Sequence, residues 1–484
     1  MAQDMKNFIH EKHSLKLLLV LCFFIVLIRC IAIFVTPLEL SADEAQYWLW
    51  SKSLSWGYFS KPPLIAWLIS LSSYIFGDFD FAVRIFAPIL HGATAIVLYF
   101  LAREFTKNHI AQFLSSLIWL TFPIVGVGSF IMSTDTPLML FFSISILMIV
   151  KAYKSENKSS WLLAGIFSGL GLYAKYAAIY LPLGLVLIYT LSFYRKSKIN
   201  LSSVLLFLIS FTAISIPNIL WNFYNNFYTF SHLSSNAVID SPSYSLIGSI
   251  IFIASQFIVV GPILLPIFFI SLLNYKTLPK KTALILSFVL PVYFIMIFQG
   301  YFSEANANWA ATALPGISII SGYYLSSRLK IATVTLVTNA IICMLIIVIS
   351  VTGNVAILNL KSDPLRKLKG WQSLSNDIVE IVGKDKSNIV LVERRGIAAE
   401  LFYYLRNHNI EIRVPQTSFA PVNHYQLKYS ISKNESKKFY YLSENKDIPE
   451  AIKNSYEINK VAVSDNKITK QKSRTLYFYY LEKI

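Results

Sequence analysis

Charge is what this sequence has least of. Charged side chains make up 14% of its 484 residues, against roughly 25% in soluble domains. The deficit excludes an ordinary soluble protein, because it coincides with 55% hydrophobic residues and a mean hydropathy of +0.54. Acidic groups are scarcer still: 26 Asp and Glu stand against 43 Lys and Arg, a net charge of +17. In a membrane protein that excess points to basic cytoplasmic loops and anionic lipid. No nucleic-acid-binding motif is present, so nucleic acid is not an expected partner. The three cysteines, Cys22, Cys30 and Cys343, all lie inside apolar runs. They read as small buried side chains, which excludes a disulfide framework or a Cys-based metal site. No small-residue cleavage site follows the first apolar run, which stands behind Lys6, Lys12 and Lys16, so an uncleaved first span is expected. Solenoid repeats and low-complexity tracts are absent.

What the chain does have is apolar runs of membrane-crossing length, at 15–36, 81–102, 110–131, 136–152, 160–174, 176–194, 201–220, 246–272, 282–300, 308–325 and 331–352. They predict a polytopic α-helical membrane protein with about eleven transmembrane helices. Two further segments, 43–54 and 63–76, are rich in Trp and Tyr and are expected to be helices lying along the interface. Alternate loops are basic: 103–109, 151–158, 195–198, 276–281 and 328–330. The intervening loops carry acids and aromatics. The positive-inside rule then puts the N-terminus in the cytoplasm and the acidic loops outside. From residue 353 charges become frequent and the apolar runs shorten. Strands are expected at 388–393, 410–414, 438–442 and 475–481, with helices at 396–407 and near 449–455. Two domains follow: a membrane domain over 1–352, with a first outer loop at 37–80, and a soluble α/β domain over 353–484 on the outer side.

Ionisable groups at a membrane edge are functional candidates, since a charge at the bilayer centre costs about 2.5–3.5 kcal/mol even on lenient scales. The first outer loop runs from Ser41-Ala42-Asp43-Glu44 to Ser60-Lys61-Pro62-Pro63. Asp43 is either a helix cap or a catalytic base. Lys61 is either a snorkelling lysine or a ligand for one lipid phosphate, presented by the prolines after it. Asp135, in the short turn Ser133-Thr134-Asp135-Thr136-Pro137, is a second catalytic candidate with the same capping alternative. Lys175, between Tyr173 and Tyr176, is the one strong charge between Lys158 and Arg195. Glu44, Tyr58 and His232 are further substrate-binding candidates, and Glu304 and Asn308 weaker ones. Arg29, inside the first span, either pairs with an acid or snorkels. His424 is the histidine to test in the C-terminal domain.

Two acids and two lysines on one face suit one reaction in particular. A sugar on a lipid phosphate has a good leaving group, which needs cations to take up its charge. The acceptor hydroxyl is a poor nucleophile and needs a carboxylate base. A single displacement inverts the anomeric carbon. A transporter or flippase of polyprenyl-linked sugars is the alternative, yet internal repeats and a midplane cluster of polar groups are missing.

The stretch 41–50, with Trp56-Gly57-Tyr58-Phe59-Ser60-Lys61-Pro62-Pro63-Leu64, resembles the family 39-type, protein-mannosyltransferase-like glycosyltransferases of the GT-C class. The similarity continues through 133–137, 169–176, 228–232 and 307–310, and on to 363–365 and 421–425 in the tail. Relatives include the bacterial aminoarabinose transferases that modify lipid A. The resemblance implies a polyprenyl-phosphate sugar donor, undecaprenyl in a bacterium, and an inner-membrane location. It implies that Asp43 is the essential first-loop acid and Asp135 the second, with Lys61 and Lys175 near the donor phosphate. Acceptors in the family are lipids, other glycans or proteins. Where aminoarabinose transferases carry a metal-associated glutamate before the lysine, this chain has Ser60. No metal is therefore predicted, and a divalent ion is left as the alternative cofactor.

Overall fold

The computed structural model describes residues 13–155, 157–194, 199–237, 244–358, 360, 362–383, 389–416, 420–431, 438–448, 450, 456–468 and 473–483. Lys6 and Lys12, the basic loop 195–198 and nearly all of the helix expected near 449–455 lie outside them. Every one of the expected apolar runs is helical, but fewer stand as single long helices. Among the described residues six are long and apolar enough to cross a membrane alone: Ser14–Val35, Asp80–Phe105, Asp135–Ser155, Leu201–Tyr224, Thr282–Phe302 and Leu329–Thr352. The pair Leu246–Val260 and Leu264–Leu273, bent by 108°, makes a seventh if counted as one span.

The shortfall has local causes. The run at 110–131 is split by Pro123, which starts a new helix after His109–Thr121. The runs at 176–194 and 308–325 each begin with a 3-10 turn, Tyr176–Ile179 and Ala307–Ala313, before the α-helix. The bend at 260–264 falls on Gly261, with φ +110°, a conformation that a Cβ would strain and where it would strike Asn339. The outward faces of the spans expose large apolar side chains such as Phe23, Phe34, Ile258 and Phe294, as a lipid-facing surface requires. Arg29 is buried at 2% exposure and neither pairs with an acid nor snorkels. Its Nη2 donates to the Leu120 carbonyl at 2.7 Å, just before the break at Pro123. All three cysteines are free.

The C-terminal region forms a five-stranded sheet, β1 Ile389–Val392, β2 Glu411–Arg413, β3 Lys438–Ser443, β4 Tyr456–Lys467 and β5 Ser473–Lys483, in the order β2-β1-β3-β5-β4. β1 runs parallel to β2 and β3; β5 is antiparallel to β3 and β4. Helix Arg395–Tyr404 follows β1 directly. The sequence reading missed β4 and the helices Trp371–Val382 and His424–Tyr429. β4 is an edge strand, largely exposed, and its bulge between Lys460 and Ala462 interrupts the alternation that marks a strand.

The sheet domain sits on the first loop. The loop's helix Ala42–Ser51 opens with a capping box in which Ser41 and Glu44 satisfy each other's backbone N–H groups. Its aromatic face packs into the core of the C-terminal domain: Trp48 meets Tyr403 edge-on at 4.9 Å, and Trp50 meets His424 at 5.6 Å. The Glu39 carboxylate accepts from the Trp371 and Gln372 N–H groups at 2.6 and 2.9 Å, at the start of helix Trp371–Val382. Tyr403 donates to Asp80 at 2.7 Å, and Tyr404 accepts from the Leu40 N–H at 2.9 Å. The domain is thereby fixed over the membrane-side loop by hydrogen bonds as well as apolar contact.

Candidate active site

Adjacent residues of one helix point about 100° apart, and this separates the two acids of the first loop. Asp43 is 62% exposed, whereas Glu44 is fully enclosed. The Glu44 carboxylate takes Arg84 Nε at 2.9 Å, Arg84 Nη2 at 3.1 Å, the Ser41 N–H at 2.9 Å and the Met132 N–H at 3.0 Å. Its acceptor sites are taken up within the protein, where it ties the loop to the membrane helices. Tyr58 is likewise engaged within the protein. Its ring stacks on Trp50 at 4.7 Å, and its hydroxyl donates to the Trp50 carbonyl at 3.0 Å, so it braces the turn that carries Lys61.

Asp43 opens into a cavity of about 880 Å³. Lys61, His232, Glu304 and Arg395 contribute its polar wall, and Ile247 and Ile251 an apolar one. Lys61 is half-buried and has no ion-pair partner among the described residues. Burial lowers its pKa, Lys175 and Arg395 add to that, and Asp43 and Asp135 oppose it. These five charged groups, from four distant parts of the chain, therefore act on one place. The His232 ring lies 6.0 Å from Phe59, and burial lowers its pKa, followed by Lys61.

Asp135 and Lys175 adjoin this cavity without lining it. Asp135 begins one long helix, Asp135–Ser155, and Lys175 caps the end of the antiparallel neighbour Lys158–Ala174. The two helices bring them to the same end, where Lys175 Nζ lies 2.7 Å from Asp135 Oδ1. Asn308 donates to the other oxygen, Oδ2, at 2.9 Å. The opposite end of the same helical hairpin holds the Lys154–Glu104 pair at 2.6 Å. Asp135 is thus held on both oxygens, while the exposed carboxylate of Asp43 faces the cavity.

Arg395 escaped the sequence reading. It starts the helix after β1, pairs with Asp43 and donates through Nε to Gln46 Oε1 at 2.9 Å. No motif announces a contact that crosses 352 positions; the nearest signal was the doubled arginine Arg394-Arg395 at the end of a strand. Among the described residues no three His, Cys, Asp or Glu side chains gather as metal ligands, and Ser60, 8% exposed, offers only a hydroxyl to the cavity.

The apolar helices, the five-stranded sheet over the first loop and the acid–lysine cavity between them are the features to compare with known proteins. The family described as dolichyl-phosphate-mannose-protein mannosyltransferase matches residues 60–221. The chain shares its fold with ArnT. The structure of ArnT from Cupriavidus metallidurans bound to undecaprenyl phosphate superposes with a TM-score of 0.68 at 14% identity, over 95% of this chain and 97% of that one. Among curated proteins, the lipid A galacturonosyltransferase RgtD of Rhizobium johnstonii is 26% identical over 85% of this chain and 88% of its own length. The undecaprenyl phosphate-alpha-4-amino-4-deoxy-L-arabinose arabinosyl transferase of Pseudomonas savastanoi is 25% identical over 52% of this chain and about half, 49%, of its own.

Proposed function

We infer that the protein is a polyprenyl-phosphate-sugar-dependent glycosyltransferase of the bacterial inner membrane that takes its sugar from an undecaprenyl-phosphate carrier and gives it to a lipid A-type acceptor. The observation that carries this reading is the cavity itself. It has an apolar wall for a lipid chain, and beside that wall a lysine with no ion pair among the described residues and the exposed, Arg395-paired carboxylate of Asp43. The names of the relatives supply the carrier and the acceptor class.

In this mechanism the acceptor oxygen forms a bond to the anomeric carbon as the bond to the phosphate oxygen breaks. The electron pair leaves with the lipid phosphate, and the acceptor's proton passes to Asp43. Lys61 sits against the departing phosphate and neutralises its charge. Asp135, itself held by Asn308, keeps Lys175 in place behind it, so Asp135 is a positioning residue, and His232 closes the polar wall. The anomeric centre inverts. The eleven-crossing topology, with the N-terminus cytoplasmic and the C-terminal domain periplasmic, belongs to this proposal. It puts Asp43, Lys61, Asp135 and Lys175 on the side opposite the Lys154–Glu104 pair. As for the transporter alternative, the broken span 246–273 contains no ionisable side chain at all, unlike the midplane sites of transporters.

The test is chemical. Purified protein is incubated with lipid A and undecaprenyl-phosphate-linked galacturonic acid or 4-amino-4-deoxyarabinose, the sugars named for two relatives. Mass spectrometry should find lipid A heavier by one sugar residue. Failure with these donors and with a crude envelope donor pool would contradict the reading.

A further inference from the structure

A second cavity, of about 770 Å³, lies on the other side of Asp43, between the start of helix Ala42–Ser51 and the C-terminal domain. The two cavities share only Asp43 among their lining residues. Three cations border the second one outside any ion pair among the described residues, although Glu400 and Glu39 act on Arg474 from a distance. Arg366 and Lys367 are exposed on the segment 364–368. Arg474 lies 3.4 Å above the Trp371 ring and donates to the Lys369 carbonyl at 2.8 Å. A fourth cation, Arg394, is neutralised by Glu444. The floor holds Glu400, which is 1% exposed and has both carboxyl oxygens unpartnered. Burial pushes its pKa well up. A water-accessible hollow with two exposed cations outside any ion pair, a third above the Trp371 ring and a buried orphan carboxyl suits an anionic, hydroxyl-rich ligand.

We propose that this second cavity is the acceptor site, and that it holds the phosphate-bearing headgroup of the acceptor glycolipid with Arg366, Lys367 and Arg474 on the phosphate. The inference rests on the transferase reading above. It places donor and acceptor in separate hollows that meet at the base, so an acceptor hydroxyl reaches Asp43 from one side and the anomeric carbon from the other. Glu400 then faces the sugar hydroxyls of the headgroup.

The experiment compares the wild type with an Arg366→Ala/Lys367→Ala double variant, on lipid A and on phosphatase-treated lipid A. Both residues are exposed and leave the core intact. On lipid A the variant should raise the acceptor KM about 10- to 100-fold, the loss of one or two contacts to a charged group, with the donor KM unchanged. The phosphatase-treated lipid should be a poor substrate for the wild type and respond little to the substitution. An unchanged acceptor KM, or an equal loss on both lipids, overturns the acceptor site while leaving the transferase reading intact. Absence of transfer by the wild type itself would overturn both.

Discussion

The guanidinium of Arg395, in the C-terminal domain, pairs with the carboxylate of Asp43, in the first loop. The proposed base is thus held by a region that follows all the apolar helices. The pair is half-exposed, at 41% and 62%, so its contribution to stability is under about 1 kcal/mol. Arg395→Ala should accordingly shift the melting temperature by less than about 4 °C. Transfer should fall by about tenfold, because the acid and Gln46 lose the group that orients them. Arg395→Lys, which keeps the charge and loses the second hydrogen bond, should fall in between. Thermal unfolding in detergent alongside turnover separates the two effects.

The neighbouring acid should behave in the opposite way. Glu44 and Arg84 form an enclosed pair, at 0% and 2% exposure. Removing one partner strands the other charge, which costs about 3–5 kcal/mol. Glu44→Ala is expected to lower folded yield and thermal stability sharply. Any protein that survives should keep its donor KM, since the side chain faces no cavity.

Asp135 is expected to act through Lys175. Asp135→Ala releases the lysine held at 2.7 Å and should raise the donor KM by about tenfold. Asp135→Asn keeps the Asn308 side of the network and should be milder. A fall in kcat at constant donor KM would identify Asp135 as a second proton acceptor instead.

His424 carries a pH dependence. Burial against the first loop, with Lys428 and Arg395 nearby, pushes its pKa down to about 4, from an ordinary value of about 6.5. Between those values the unfolded chain takes up a proton that the folded one refuses. Stability contributed by the neutral ring is therefore present above about pH 6.5 and is lost as the pH falls towards 4. His424→Phe, still able to meet Trp50 edge-on, should flatten this acid loss. Melting temperatures of both proteins at pH 7.5 and pH 5 check it; parallel losses would contradict it.

Much of the fold was legible because apolar periodicity and length report directly on burial in lipid, and each expected run became helical. What length alone could not convey was where helices break. Pro123 was visible but sat within an unbroken apolar run, and the bend at Gly261 depends on Asn339 from a distant helix. At the site, Asp43, Lys61, Asp135 and Lys175 were legible as charges where charge is costly. Glu44 could have been separated from Asp43 by the Ser41-to-Glu44 spacing of a capping box. Arg395 could not be found, since nothing local distinguishes it from Arg394, which faces Glu444 instead.

The central claim is a division of labour across one cavity, with Asp43 taking a proton and Lys61 holding a phosphate. It is tested most directly by measuring kcat and undecaprenyl-phosphate affinity together in Asp43→Asn and Lys61→Ala. The account predicts that Asp43→Asn lowers kcat by about 100-fold or more with carrier affinity intact. It predicts that Lys61→Ala weakens carrier affinity by about 10- to 100-fold. Full turnover in Asp43→Asn, or unaltered carrier binding in Lys61→Ala, would contradict it.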